Sequence, residues 1–218
     1  IMHSPLSSTP DSELVIGLVG AVGTRLKTVI GLLDEQLSLA GYDTKVVKVS
    51  RDVIKTLRDV QEDGGDDYKR ISDLMGAGND IREIAGKKGV LALGVAAKIL
   101  AEREKDDKGY PQPLEKTAFI VDSLKRPEEV EWLRQVYPSG FVLVGAHEEE
   151  SRRRSHLEAK GMSPEEADDL INRDSEEAEV PHGQRLRNTF HLADFFLQIT
   201  DSQDRLEADV RRMVELWF

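Results

Sequence analysis

Val15-Ile16-Gly17-Leu18-Val19-Gly20-Ala21-Val22-Gly23-Thr24-Arg25-Leu26-Lys27-Thr28 constrains this chain more than any other stretch. A branched apolar run meets two glycines and then an apolar period of helical spacing. It reads as strand, tight turn and helix start. In that layout, main-chain N–H groups at a helix N-terminus can receive a phosphate. The side chains depart from the pattern. Counted from Gly20, G-x-x-x-x-G-K-[ST] asks for Gly at 25, Lys at 26 and Ser or Thr at 27. The chain carries Arg25, Leu26 and Lys27 instead.

Strand and helix signals alternate along the rest of the chain. Strands are expected at Glu13 to Val19, Thr44 to Val49, Thr117 to Val121, Phe141 to Gly145 and Leu192 to Ile199. Helices are expected at Gly23 to Ala40, Arg51 to about Val60 behind a Ser50 cap, Val90 to Lys105, Pro127 to about Val136, and Glu148 to Lys160. A helix from Tyr68 to Lys87 should be interrupted near Gly76 and Gly78. Ser163-Pro164-Glu165-Glu166 opens another, and Asp201 or Ser202 caps a last one reaching Trp217. Gln61 to Asp67 and Glu176 to Arg187 read as polar loops. The fold class is therefore α/β, a doubly wound parallel sheet flanked by helices. Residues 1–12 are expected as a flexible tail and 13–218 as one nucleotide-binding domain. Ligands of such folds sit at the carboxyl ends of strands. That rule points to Gly20 to Thr24, Ser50 with Arg51, Asp122 with Ser123, and the region after Ala146.

Composition narrows the function classes. The 218 residues suffice for one sizeable α/β domain or two small ones. Thirty basic against 41 acidic side chains give a net charge of -11, which opposes broad attraction to nucleic acid or an anionic membrane. Without cysteine there is no disulfide and no thiolate metal site. No apolar run approaches a membrane span, and the N-terminus lacks the pattern of a secretory signal, so a cytoplasmic location is expected.

Gly20 and Gly23 permit close backbone approach, and Thr24 offers a hydroxyl. If position 25 takes positive φ, Arg25 costs about 1–2 kcal/mol there. Leu26 brings no charge to a phosphate, and Lys27-Thr28 restores the Lys-Thr pair one residue late. Asp122 ends an apolar strand where an acid would hold Mg²⁺; the alternative is a helix cap. Arg70, Asn79 and Arg82 could grip a phosphate, or form a solvated helix face. Arg152, Arg153 and Arg154 fall where a kinase lid would supply arginines, and Arg173 is comparable. His147-Glu148-Glu149 matches half of a zinc deaminase signature, but without cysteine the match is chance. His3, His147, His156, His182 and His191 show no metal-ligand spacing.

Ile120-Val121-Asp122-Ser123-Leu124-Lys125-Arg126-Pro127-Glu128-Glu129-Val130, with Leu133-Arg134-Gln135-Val136-Tyr137, resembles the N-terminal domain of bacterial two-domain deoxycytidylate deaminases. Gly183-Gln184, Thr189-Phe190-His191-Leu192-Ala193-Asp194-Phe195-Phe196, and Gly78-Asn79 with Arg82 are similar to the same family. The likeness spans about residues 13 to 218. It implies a P-loop domain similar to nucleoside monophosphate kinases, followed in the full protein by a zinc-dependent domain that this chain lacks. It further implies deamination of dCMP or dCTP in anti-phage defence, with Zn²⁺ confined to that other domain. The partners it implies are a nucleotide (ATP, GTP or a deoxynucleotide), the deaminase domain, further copies of the chain, and in some systems a small inhibitory RNA. Gly20, Gly23, Thr24, Arg25, Lys27, Thr28 and Asp122 are the phosphate-site candidates. Arg51, Arg70, Asn79, Arg82, Arg152, Arg153, Arg154, Arg173 and Gln184 are lid or second-nucleotide candidates. Three readings stay open: a regulatory nucleotide-binding domain, an active nucleoside monophosphate kinase, and a ligand-free oligomerisation or RNA-docking module.

Overall fold

The computed structural model describes residues 11–58, 65–176 and 186–218. Five strands form one parallel sheet: β1 (Leu14–Val19), β2 (Asp43–Lys48), β3 (Thr117–Asp122), β4 (Phe141–Glu148) and β5 (Phe195–Ile199). Their spatial order is β2-β3-β1-β4-β5. β1 is central, paired with β3 through Leu14 to Ala118 and with β4 through Val15 to Phe141. Every residue of β1 is buried, as in a sheet covered on both faces.

Alternate residues of β1 feed two cores. Leu14, Ile16 and Leu18 pack against α1 (Leu26–Leu39) and α9 (Gln203–Glu215). Val15 and Val19 pack on the opposite face, with α4 (Val90–Glu102) and α5 (Pro127–Val136). A π-helical segment, Val49–Ile54, leads from β2 into a short helix α2 (Lys55–Leu57). A smaller third core of Met75, Leu157, Met162, Ala167, Leu170 and Ile171 joins α3 (Asp67–Ala85), α6 (Glu150–Glu158) and α7 (Pro164–Glu176). A short helix, α8 (Leu186–Phe190), precedes β5. None of the described helices is long and apolar enough to cross a membrane.

Several boundaries differ from the sequence expectation, each for a local reason. α1 starts at Leu26 rather than Gly23, because Gly23 has a φ of 84°, outside the right-handed helical region. α3 runs unbroken through Gly76 and Gly78. A Cβ at Gly78 would lie 3.2 Å from Ile54 Cδ1, so this glycine marks a close helix contact rather than a break. Ser50 lies inside the π-helical segment instead of capping it, and the Asp52 carboxylate accepts the Lys48 N–H at 2.8 Å. β4 continues to Glu148, held in register with β5 up to the Glu148 to Ile199 pair. β5 starts only at Phe195, since the Asp194 carboxylate is used as an acceptor for the Leu143 N–H at 2.8 Å. α4 stops at Glu102, short of Lys105, and Arg187, expected in a loop, lies in α8. Ser202 does cap α9, accepting from the Arg205 N–H at 3.3 Å. The expected tail at 1–10, most of the Gln61 to Asp67 loop and residues 177–185 lie outside the described residues.

One buried ion pair ties α3 to α5. Arg82 Nη2 donates to Glu129 Oε1 at 2.7 Å, with both side chains almost fully enclosed. Glu129 Oε2 also accepts the N–H groups of Lys125 (2.9 Å) and Arg126 (3.2 Å), fixing the turn that leaves β3. Removing one partner strands a buried charge. Glu129→Ala is expected to cost about 3–5 kcal/mol in chemical denaturation, well beyond a surface carboxylate substitution.

Candidate functional site

The turn between β1 and α1 lies at the carboxyl ends of the central strands. Its shape rests on Gly23. Besides its positive φ, a Cβ there would sit 2.8 Å from the Arg153 carbonyl oxygen. Arg25 has a φ of -75°, so the arginine carries no left-handed strain. The conditional cost considered for that position does not arise.

The N–H groups of this turn already meet anions supplied by the protein. Val22 donates to Asp174 Oδ2 at 2.8 Å, and Arg25 donates to Glu148 Oε2 at 2.9 Å. Both carboxylates are buried. Glu148 therefore stands at the positive end of α1, where a negative charge is favoured. Its other oxygen takes Arg25 Nε at 2.7 Å, and Arg25 Nη2 reaches the Thr200 carbonyl at 3.3 Å. The guanidinium is thus anchored at the ends of β4 and β5. The N–H groups of Ala21, Gly23 and Lys27 have no partner among the described residues.

A cavity of about 810 Å³ opens beside the turn. Seven lysines and arginines line it against one carboxylate, that of Asp122. An apolar wall of Ile54, Ile71, Leu74, Met75 and Leu91 completes it. Thr24 and Asp122 both face this space. Thr24 Oγ1 is buried without a hydrogen-bond partner. Burial pushes the Asp122 carboxyl above the usual carboxylate range, against the pull of Lys48 and Lys125. A hydroxyl and a carboxylate with open valences suit Mg²⁺, which typically takes one or two protein oxygens and completes its shell with phosphate and water. No group of three or more His, Asp or Glu side chains suited to a metal occurs among the described residues.

A second cavity, of about 780 Å³, lies across the turn and shares Ala21 and Thr24 with the first. His147, Arg153, Asn172, Phe190 and His191 line it.

The candidate residues separate into two groups. Gly20, Gly23, Thr24, Arg25, Lys27, Thr28, Arg70, Arg82 and Asp122 all line the first cavity. Of these, Arg70 pairs with Asp67 at 2.6 Å on its own helix, and Arg82 with Glu129. Asn79 Oδ1 accepts from Arg82 Nη1 at 3.0 Å. Arg51 is exposed and bound to its neighbour Asp52. Arg152 pairs with Asp201, and Arg154 with Asp168 at 2.5 Å. Arg153 Nη1 donates to the Val22 carbonyl at 2.9 Å, and Arg173 Nη1 to Ser72 Oγ at 2.8 Å. Gln184 lies outside the described residues.

The sequence reading missed Lys48, Lys125, His156 and Lys160, which also line the cavity. Lys125 Nζ donates to the Gly20 carbonyl at 2.9 Å and lies 3.4 Å from Asp174 Oδ1. Lys48 could have been found from its place as the last residue of β2, at a strand's carboxyl end. Lys160 gave no such signal, because it follows a helix of ordinary charged composition.

No protein-family model matches the chain, and no curated protein matches it. Solved structures do. Shikimate kinase from Bacteroides thetaiotaomicron superposes with a TM-score of 0.50 at 12% identity, covering 94% of this chain and 97% of that one. TT1252 from Thermus thermophilus gives 0.50 at 16% identity, covering 94% and 97%. A gluconokinase from Sinorhizobium meliloti 1021 gives 0.46 at 9%, covering 95% and 94%. The first two, with the five-stranded parallel sheet, define a P-loop kinase-like fold.

Asp122 yields a pH test. With its folded pKa raised, the contribution of Asp122 to stability is present below its ordinary value of about 3.9 and is lost as pH rises through the folded value. Asp122→Asn should therefore raise the melting temperature at pH 7. The gain should shrink and vanish below about pH 4 in a thermal-melt series.

Proposed function

We propose that this is a nucleotide-binding regulatory domain. The turn Gly20 to Lys27 receives the phosphates of a nucleoside di- or triphosphate, or of a deoxynucleotide. Thr24 and Asp122 would hold a Mg²⁺ accompanying it, and the metal would neutralise phosphate charge. One observation carries the reading: a cavity lined by seven cations and one acid, opening on helix-head amides, in a chain of net charge -11. In an acid-rich protein, that concentration of positive charge calls for a polyanion.

Asp174 supports a regulatory role. Its carboxylate takes the Val22 N–H, a position that suits a phosphate oxygen, and it belongs to α7. A phosphate bound there displaces it and releases α7 from the turn. Calorimetry with a nucleotide panel tests the reading; failure of the folded protein to bind any of them contradicts it. Asp174→Asn keeps the shape and removes the competing charge. It should tighten triphosphate binding by about ten- to a hundredfold, from the roughly 1.5–3 kcal/mol of a charged hydrogen bond.

The sequence likeness supports setting this domain beside a zinc-dependent deoxycytidine nucleotide deaminase, whose activity α7 would influence. Nucleotide-dependent change in dCMP deamination by a protein carrying both domains tests that. A second reading, phosphoryl transfer to a small acceptor, is favoured by the apolar wall that extends the cavity away from the turn. ATP consumption with dCMP, abolished by Lys27→Ala, would establish it; no turnover would exclude it for that acceptor.

A further inference from the structure

Internal carboxylates account for four of the seven cations in the first cavity. Arg25 meets Glu148, Arg70 meets Asp67, Arg82 meets Glu129 and Lys125 meets Asp174. A fifth, Lys48, stands close enough to Asp122 to favour its ionised form. Lys27 and Lys160 are left. Neither ammonium makes a hydrogen bond or ion pair among the described residues, although Asp67 lies close enough to favour the charged form of Lys160.

Their mounts differ. Lys27 lies in the first turn of α1. Lys160 lies in the turn after α6, between the buried residues Leu157 and Met162. That turn is closed by the Lys160 N–H donating to the Leu157 carbonyl at 3.0 Å and by Gly161 at a φ of 96°. Lys160 is therefore carried on a fixed turn at the edge of the same cavity. Leu26, where the motif asks for lysine, packs against the core under β1 and brings no charge.

We propose that Lys160, together with Lys27, supplies the positive charge that the glycine-turn motif has lost. Lys160 contacts the outer phosphates of a polyphosphate whose inner phosphate sits at the turn. This rests on the turn being an anion site, as argued above. Lys160 also behaves as a charge awaiting a partner. Its pKa is lowered, chiefly by burial, with Arg70 and Lys27 pushing the same way and Asp67 opposing. Lys160 is exposed to solvent at the cavity mouth, within the electrostatic reach of Arg70 and Lys27. A polyphosphate placed there offsets the repulsion among Lys27, Arg70 and Lys160. The ligand class this implies is a linear polyphosphate, with a single phosphate as the contrasting case for the test.

Calorimetry with ATP, AMP and inorganic tripolyphosphate tests this, with circular dichroism melts to verify folding. Lys160→Ala should weaken ATP and tripolyphosphate binding roughly tenfold or more, the usual effect of deleting a charged donor, and leave AMP little changed. Lys160→Arg should keep most of the affinity. Lys108→Ala, an equal charge change at an exposed site outside the cavity, should have no effect. Unchanged binding by Lys160→Ala, or an equal loss in Lys108→Ala, overturns the proposal while leaving the nucleotide reading intact. Lys160-dependent binding of tripolyphosphate without any binding of ATP overturns the nucleotide reading and supports this one. If the unaltered protein binds neither, both fall.

Discussion

Two carboxylates on the N–H groups of one turn hold this structure's functional end together. Main-chain N–H groups at a helix head have no intrahelical partner and must be satisfied from outside. Here Glu148, from the end of β4, and Asp174, from α7, satisfy two of them. Arg153 of α6 closes the circle by donating to the Val22 carbonyl. The central strand, the first helix, the neighbouring strand and the α6–α7 pair thus converge on the turn at Val22 to Arg25. An anion bound at the Val22 or Arg25 N–H competes with one of these carboxylates, while the N–H groups of Ala21, Gly23 and Lys27 have no partner among the described residues.

Charge is divided between two residue types. The arginines named as candidates are almost all engaged in scaffolding: Arg82 on Glu129, Arg153 on Val22 and Arg173 on Ser72. Arginine suits that work, since its planar fork meets carboxylates and carbonyls with several donors at once. The cations of the cavity that make no hydrogen bond or ion pair among the described residues are lysines, Lys27, Lys48 and Lys160. A compact ammonium on a flexible stem adapts to a ligand that is sometimes absent.

Much of the fold was legible because it depends on local pattern. Apolar runs marked the strands other than the polar-edged β2, whose Val46 and Val47 sufficed to place it, and Pro127 and Ser202 marked their helices correctly. The misplacements share a cause. Gly23 and Gly78 read as punctuation of one kind but do different work: one takes a left-handed turn, the other admits Ile54. The strings most characteristic of the family resemblance are structural in large part. Glu129 ties the turn after β3, while Asp194 receives Leu143 N–H and Arg134 Nη2 at the start of β5. At the site, the turn and Asp122 could be read from strand ends. The partnering of each arginine could not, because Glu148, Asp174 and Glu129 approach from elements far away in sequence. Nor could the absence of an ion pair for Lys160 among the described residues.

A crystal structure of the protein soaked with a magnesium nucleoside triphosphate tests the central claim most directly. The account predicts a phosphate oxygen within hydrogen-bond distance of the Val22 N–H, with the Asp174 carboxylate withdrawn from it. A nucleotide bound elsewhere, with the Asp174 to Val22 hydrogen bond intact, would contradict it.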